Sequence, residues 1–319
     1  MLALLAATAA LAPTATVGRE GTELVYRGAS GVKDRVTLVV VRDAIQVFDA
    51  DDPNTRIAPG AGCKRGRDAV ECPVAGITTV RVHAGDGNDL VAVQLEQPLI
   101  VDLGPGDDEF GGDAPSLALT GGDGDDEANF GAKTGAIDMG PGNDIADAMT
   151  ADLTGPLTLA GGDGNDRLFI FGETGPGTAM SGGSGDDWFT VQAGEGPGAD
   201  IGCGEGADRI VAELADRPGA GCGPYLAGIT PGTVSRTFRE GALTAPATGT
   251  VTLHRDKGEG DAAATLARGT FDAPAGPLRV RLKTTAAGRR GPKRPRVIVT
   301  VRTRSGGERH EVTFRSRLR

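Results

Sequence analysis

Seven aspartates stand out as the residues of this chain best placed to do chemistry: Asp89, Asp108, Asp126, Asp144, Asp166, Asp187 and Asp208. Each is the sixth residue of a similar segment: "AGDGND", "LGPGDD", "GGDGDD", "MGPGND", "GGDGND", "GGSGDD" and "CGEGAD". All seven segments carry Gly at the second and fourth positions. A carboxylate fixed in seven flexible loops matches the needs of a hard cation. Calcium takes 6–8 oxygens from carboxylates, backbone carbonyls and water. Glycine lets the backbone curl so that its carbonyls turn inward without a Cβ clash. Asp is short enough to reach an ion held by its own loop. Asp86, Asp123 and Asp163 at the third position and Asp107 at the fifth are further candidate ligands, whereas Pro105 and Pro141 offer no side-chain oxygen. Ala207 in the last loop points to a weaker terminal site.

The elements that position these loops follow from their spacing. The seven aspartates recur every 18 to 22 residues, a period that predicts a solenoid. Two residues after each Asp the chain is apolar: Val91, Phe110, Ala128, Ala146, Leu168, Phe189 and Ile210. A second apolar position lies seven residues before it: Val82, Val101, Leu119, Ile137, Leu159, Met180 and Ile201. Each coil therefore offers one apolar plug per strand, and stacking would form two facing ladders in a thin core. Adjacent coils in such a stack lie about 4.8 Å apart, so two loops can share one ion. Without an ion, carboxylates roughly 5 Å apart repel by about 3 kcal/mol at an effective dielectric near 20. Binding and folding are then expected to be coupled. The competing reading is a metal-free row of Gly-Asp turns, since Asn and Asp favour turns.

These segments resemble the hemolysin-type calcium-binding repeat of the repeats-in-toxin (RTX) family, whose nonapeptide reads G-G-x-G-x-D-x-U-x with U large and apolar. The resemblance covers about residues 82 to 213 in seven hits in register. It implies a parallel β-roll with Ca2+ between the loops of neighbouring coils. One departure is clear: only every other nonapeptide is intact, as "GGDAPSLAL" and "FGAKTGAID" show. The expectation is one calcium-binding flank and one flank of plain turns, with insertions on the plain side of the last three coils.

Charge divides the rest of the 319-residue chain. From Val82 to Glu213 there are 26 acidic and 3 basic residues, a net of −23; from Ala275 to Arg319 there are 14 basic and 2 acidic, a net of +12. The apolar start, residues 1–16, reads as a secretory signal peptide. Residues 17–81 read as short strands forming an N-terminal β cap, and 82–225 as the calcium-binding roll. Residues 226–319 read as a basic antiparallel β-sandwich, with "AAGRRGPKRPR" as a loop. Cys63 with Cys72 and Cys203 with Cys222 are expected to form two disulfides, the second pinning the last coil. Zinc is the alternative, but C-x-x-C is absent and only three histidines occur. His83 reads as structural. No H-E-x-x-H, G-x-S-x-G or G-K-[ST] motif is present. The carboxylates that a glycosidase would need are already explained by the repeat. The expected fold is therefore all-β, and the expected function is that of a secreted, non-enzymatic calcium-binding protein. The runner-up is an adhesion protein whose basic domain binds an anionic cell-surface polymer. Nucleic acid is less favoured because no aromatics interleave the basic residues of that loop.

Overall fold

The computed structural model describes residues 14–49, 57–150, 153–193, 196–212, 216–219, 222, 226–227, 233–234, 237–238, 242–243, 247–255, 264–290, 296–305 and 308–318. Its central feature is a parallel β-solenoid of two facing sheets. The first sheet takes one strand from each coil: Thr79–His83, Leu99–Asp102, Leu117–Thr120, Gly135–Pro141, Leu157–Asp163, Ala179–Ser184 and Asp200–Glu205. The second takes Leu90–Gln94, Glu109–Ala114, Glu127–Ala132, Ile145–Thr150, Arg167–Gly172, Trp188–Ala193 and Arg209–Ala212. A Gly-Asp loop joins the two strands of every coil. The opposite flank carries turns without that motif, short at 115–116 and 133–134 and longer in the last coils.

Register follows the repeat. Val82, Val101, Leu119, Ile137, Leu159, Met180 and Ile201 pair in sequence across the first sheet. Val91, Phe110, Ala128, Ala146, Leu168, Phe189 and Ile210 do so across the second. All fourteen are buried. The core is thicker than two plugs per coil. The strands bury alternate positions, so Val80, Leu99, Leu117 and Leu157 add a third ladder, and Val93, Phe130, Ile170 and Val191 a fourth. Phe130 sits two residues from Ala128, so a large plug compensates a small one in that coil.

The N-terminal segment is not only a cap. Glu23–Arg27 pairs in parallel with Thr79–His83, and Arg35–Val41 with Leu90–Gln94. These strands and the loop between them form an additional coil of the same stack. Tyr26 pairs with Val82 and Val36 with Val91, taking the two plug positions. Ala15–Glu20 then extends the first sheet antiparallel to this coil. The expected signal segment ends inside that strand: Ala15 is buried and pairs with Ile57, while residues 1–13 lie outside the described residues. The two disulfides pair as expected. Cys63–Cys72 closes the hairpin of Lys64–Arg65 and Val70–Pro73, and Cys203–Cys222 ties the last coil.

A separate core lies in the C-terminal antiparallel sheet, built on Val251, Leu253, Leu266, Val297, Val299 and Val301. Ala247–Arg255 lies between Thr265–Ala273 and Arg296–Ser305, and Glu308–Leu318 pairs on the far side of the latter. Glu308–Leu318 also pairs in parallel with Arg209–Ala212, so this sheet continues the second sheet of the solenoid. The basic stretch expected as a loop begins as a short helix, Ala286–Arg290. Its last residue, Arg296, opens the strand Arg296–Ser305, while residues 291–295 and the expected boundary at 225 lie outside the described residues. Among the described residues no helix is long and apolar enough to cross a membrane.

Candidate metal centre

The loops are held by three rows of hydrogen bonds running along the stack. In the first row, the fourth-position glycine N–H donates to the third-position carbonyl of the next coil. Examples are Gly106 to Asp123 at 2.8 Å and Gly164 to Ser184 at 2.7 Å. In the second, the fifth-position N–H donates to the fifth side chain of the previous coil. Asp125 donates to Asp107 Oδ1 at 3.0 Å, Asn143 to Asp125 Oδ1 at 2.7 Å and Asp186 to Asn165 Oδ1 at 2.8 Å. In the third, the N–H of each repeat aspartate donates to Oδ1 of the aspartate one coil later. Asp89 donates to Asp108 at 2.6 Å, Asp108 to Asp126 and Asp126 to Asp144 at 2.8 Å, and Asp144 to Asp166 and Asp166 to Asp187 at 2.9 Å. Asp187 completes the row, donating to Asp208 at 3.0 Å. The two side-chain rows run in opposite directions along the rod.

Glycine is required where these rows approach each other. Gly164 has φ 136°, and a Cβ there would lie far inside contact distance of the Gly142 carbonyl. Gly164→Ala is expected to cost at least about 1–3 kcal/mol through backbone strain alone. Gly111→Ala, which meets open space, is expected to be near neutral. Chemical denaturation of the two variants checks the contrast.

The aspartate row explains one carboxylate oxygen and leaves the other. All seven repeat aspartates are buried, none more than 2% exposed. Oδ2 of Asp89, Asp108, Asp126, Asp144, Asp166 and Asp187 is buried with no hydrogen-bond partner among the described residues. A buried polar atom left unmatched is costly, and a buried charge more so. Burial is the main cause that raises these carboxyls, helped by their neighbours. Asp89 is pushed up to about 6, with the charges of Asp108, Asp34 and Asp86 adding to the burial. Asp126, Asp144 and Asp187 are pushed up to about 7. Asp108 and Asp166 move in the same direction.

The N-terminal coil provides an internal contrast that the sequence reading missed. Its loop, "GASGVKD", ends in Asp34, whose N–H donates to Asp89 Oδ1 at 2.7 Å, so Asp34 heads the same row. Here Oδ2 is answered by the protein itself: Ala29 N–H donates to it at 2.7 Å and the Tyr26 hydroxyl at 3.4 Å. The usable signal was Asp34 followed two residues later by the apolar Val36, the same spacing as in the seven repeats.

The other expected ligands divide. Asp86, Asp107, Asp123 and Asp163 are exposed on the outside of their loops, away from the buried oxygens. Asp86 Oδ1 accepts from Gly31 N–H at 2.7 Å, which holds its carboxyl below the usual range. Asp107 accepts from Asp125 N–H through Oδ1, and Asp163 accepts from the Ser184 hydroxyl at 2.7 Å. The structure brings together the sixth-position aspartates and sets the third- and fifth-position groups apart. His83 contacts Asp102 Oδ2 at 3.3 Å on the first sheet, outside the loops.

The donor set is all oxygen, which fits a hard cation such as calcium and not a thiolate- or imidazole-bound metal. Among the described residues no three His, Cys, Asp or Glu side chains group closely enough to hold a metal alone. An ion in these loops would therefore take part of its shell from backbone carbonyls and water. No protein-family model matches the chain, and no curated protein and no solved structure matches it.

Proposed function

We propose that the Gly-Asp loops bind calcium between neighbouring coils, and that the chain is a secreted, non-enzymatic calcium-binding protein of the RTX-like kind. The observation that carries this reading is the row of six buried, unanswered Oδ2 atoms. Asp34 strengthens it, because the one coil that answers Oδ2 with its own donors differs in sequence from the six that do not. A purely structural cap needs only one acceptor oxygen, and Asn would supply it. A second anionic oxygen, repeated at every step, is what a cation would use. The two disulfides accord with an oxidising, extracellular setting. There, calcium at about 10⁻⁴–10⁻³ M affinity would be bound.

Calorimetric titration of the full, chelated chain tests the reading. Saturable binding is expected, with at most about six ions shared between seven loops, together with a raised melting temperature. No binding heat and an unchanged melting temperature in millimolar calcium would overturn it. Position matters as well as charge. Asp126→Ala and Asp166→Ala are each expected to weaken calcium binding on the order of tenfold, the loss of about one charged contact. Asp113→Ala, exposed on the second sheet beyond the loop, is expected to leave binding unchanged. Asp152, the other acid expected to leave binding unchanged, lies outside the described residues. Equal effects at Asp126 and Asp113 would mean that the acidity acts only in bulk.

A further inference from the structure

The junction of the solenoid and the C-terminal sheet holds a cleft of about 750 Å³ whose walls are basic. Its lining includes Arg209 from the last coil and Arg268, Arg302, Arg304 and Arg309 from the C-terminal sheet. Glu311 is the one acid in the lining and pairs with Arg302 at 2.5 and 3.2 Å, so the arginines stay in excess. Thr248, Thr250 and Thr270 add hydroxyls to the same walls.

Strand register makes this more than a loose patch. Arg167 pairs with Trp188, Trp188 with Arg209, Arg209 with Arg309, Arg309 with Arg304, and Arg304 with Thr248. Directly paired residues share one face of a sheet. The result is a straight row across six adjacent strands, at about 4.8 Å per step, that crosses from the solenoid to the C-terminal sheet. The Arg209 guanidinium lies 4.3 Å from the centre of the Trp188 ring, and the Phe169 ring packs edge-on to Trp188 at 5.5 Å. These contacts hold Arg209 flat at the edge of the cleft. A row of guanidinium forks with hydroxyls beside it suits carboxylates or sulfates carried at intervals on a linear chain.

We infer that this arginine row is a binding site for an acidic polysaccharide strand lying across the strands of the joined sheet. Charge density favours that ligand over nucleic acid. The row is bounded on the solenoid side by Ile145 and then Glu127 and Glu109, which continue the same register. A nucleic acid, with one charge every few ångströms along its length, would overhang onto these acids and onto the acidic loops. A polysaccharide with about one acid group per sugar ring spaces its anions to match the strand-to-strand step of Arg209, Arg309 and Arg304. The site gives the polymer-binding reading a location, and it does not depend on calcium.

The chain contains a single tryptophan, and it is Trp188, so its fluorescence reports on this row alone. The full protein, in chelator and at low salt, is titrated with polygalacturonate, dextran sulfate, neutral dextran and a single-stranded oligodeoxynucleotide. Saturable shifts are expected with the two acidic polysaccharides and none with neutral dextran. The double variant Arg304→Gln/Arg309→Gln is expected to weaken binding at least tenfold while its circular dichroism melt stays unchanged. Arg289→Gln, which like Arg268→Gln removes one charge but from the helix Ala286–Arg290 outside the cleft lining, is expected to bind as wild type. Arg268→Gln serves in place of the double variant if the latter fails to fold, and is expected to weaken binding severalfold. Three results would overturn the inference. They are no shift with either acidic polysaccharide, an equal loss in Arg289→Gln, or tighter binding of the oligonucleotide than of both polysaccharides.

Discussion

In chelator, the protein is expected to melt highest in mild acid and to lose stability as pH rises from about 5 to about 8. The sign follows from the repeat aspartates. Their folded carboxyls sit well above the unfolded value of about 3.9, Asp89 at about 6 and Asp126, Asp144 and Asp187 at about 7. A group raised on folding binds protons more tightly in the native state. Its contribution is complete below the unfolded value and is lost as pH climbs through the folded one. Burial is the leading cause at each site. The charges facing Asp126 are Asp108, Asp144 and Asp107; those facing Asp144 are Asp166 and Asp125; those facing Asp187 are Asp166, Asp208 and Asp186. No cation appears in that set, so only the N–H accepted at Oδ1 favours ionisation, and burial outweighs it. Calcium is expected to invert the trend. The ionised carboxylate would be the ligand, and protons would compete with the ion. A single site held at ten times its dissociation constant adds about 1.4 kcal/mol, and several sites in a row add severalfold more. Thermal melts at about pH 5, 6.5 and 8, with chelator and with millimolar calcium, check this. A chelated melting temperature that stays flat or rises toward pH 8 would show that the carboxyls are not raised. The buried oxygens would then have partners that the calcium reading denies them.

The seven coils were legible because Gly, Gly and Asp recur at fixed offsets without insertion inside the loop. That repetition sets the register of both sheets, from Val82 to Ile201 and from Val91 to Ile210. The coil at 23–41 escaped because its loop carries one extra residue, which shifts Tyr26 out of the expected offset from Asp34. Its strands, "ELVYR" and "RVTLVVV", look like any β-strand once that offset is lost. The division of labour inside each carboxylate was not legible either. One oxygen caps an N–H eighteen or more residues away, and only the stacking of coils brings the two together. The third- and fifth-position acids looked equivalent to the sixth in composition. Alternation along the loop backbone turns them outward, as it does in a strand. The arginine row needed a still longer reach. Arg209 and Arg309 are neighbours only because Glu308–Leu318 adds to the last coil in parallel. No periodicity in the sequence announces that pairing.

Asp144→Asn and Asp144→Ala are expected to part in opposite directions, and the pattern separates the two roles of this side chain. Asp144 Oδ1 accepts the Asp126 N–H at 2.8 Å, while Oδ2 is buried with no hydrogen-bond partner. Asparagine keeps an oxygen for the cap and replaces the charged Oδ2 with a neutral amide. Alanine loses both. In chelator at about pH 8, where the wild-type carboxyl of about 7 is mostly ionised, the asparagine variant is expected to be at least as stable as wild type. The alanine variant is expected to fall by about 1–3 kcal/mol, the cost of a buried N–H left unanswered. In calcium the order changes. The fourth loop would share an ion with the third and another with the fifth, so either variant weakens two sites. At ten times the dissociation constant those two sites together are worth about 3 kcal/mol. The asparagine variant is therefore expected to drop below wild type only when calcium is present. Denaturant melts of the three proteins in both conditions give the answer. If asparagine matches wild type with and without calcium, Asp144 is only a cap and the second oxygen binds nothing. If asparagine falls as far as alanine in chelator, the apo fold itself needs the carboxylate, and the contrast drawn with Asp34 fails.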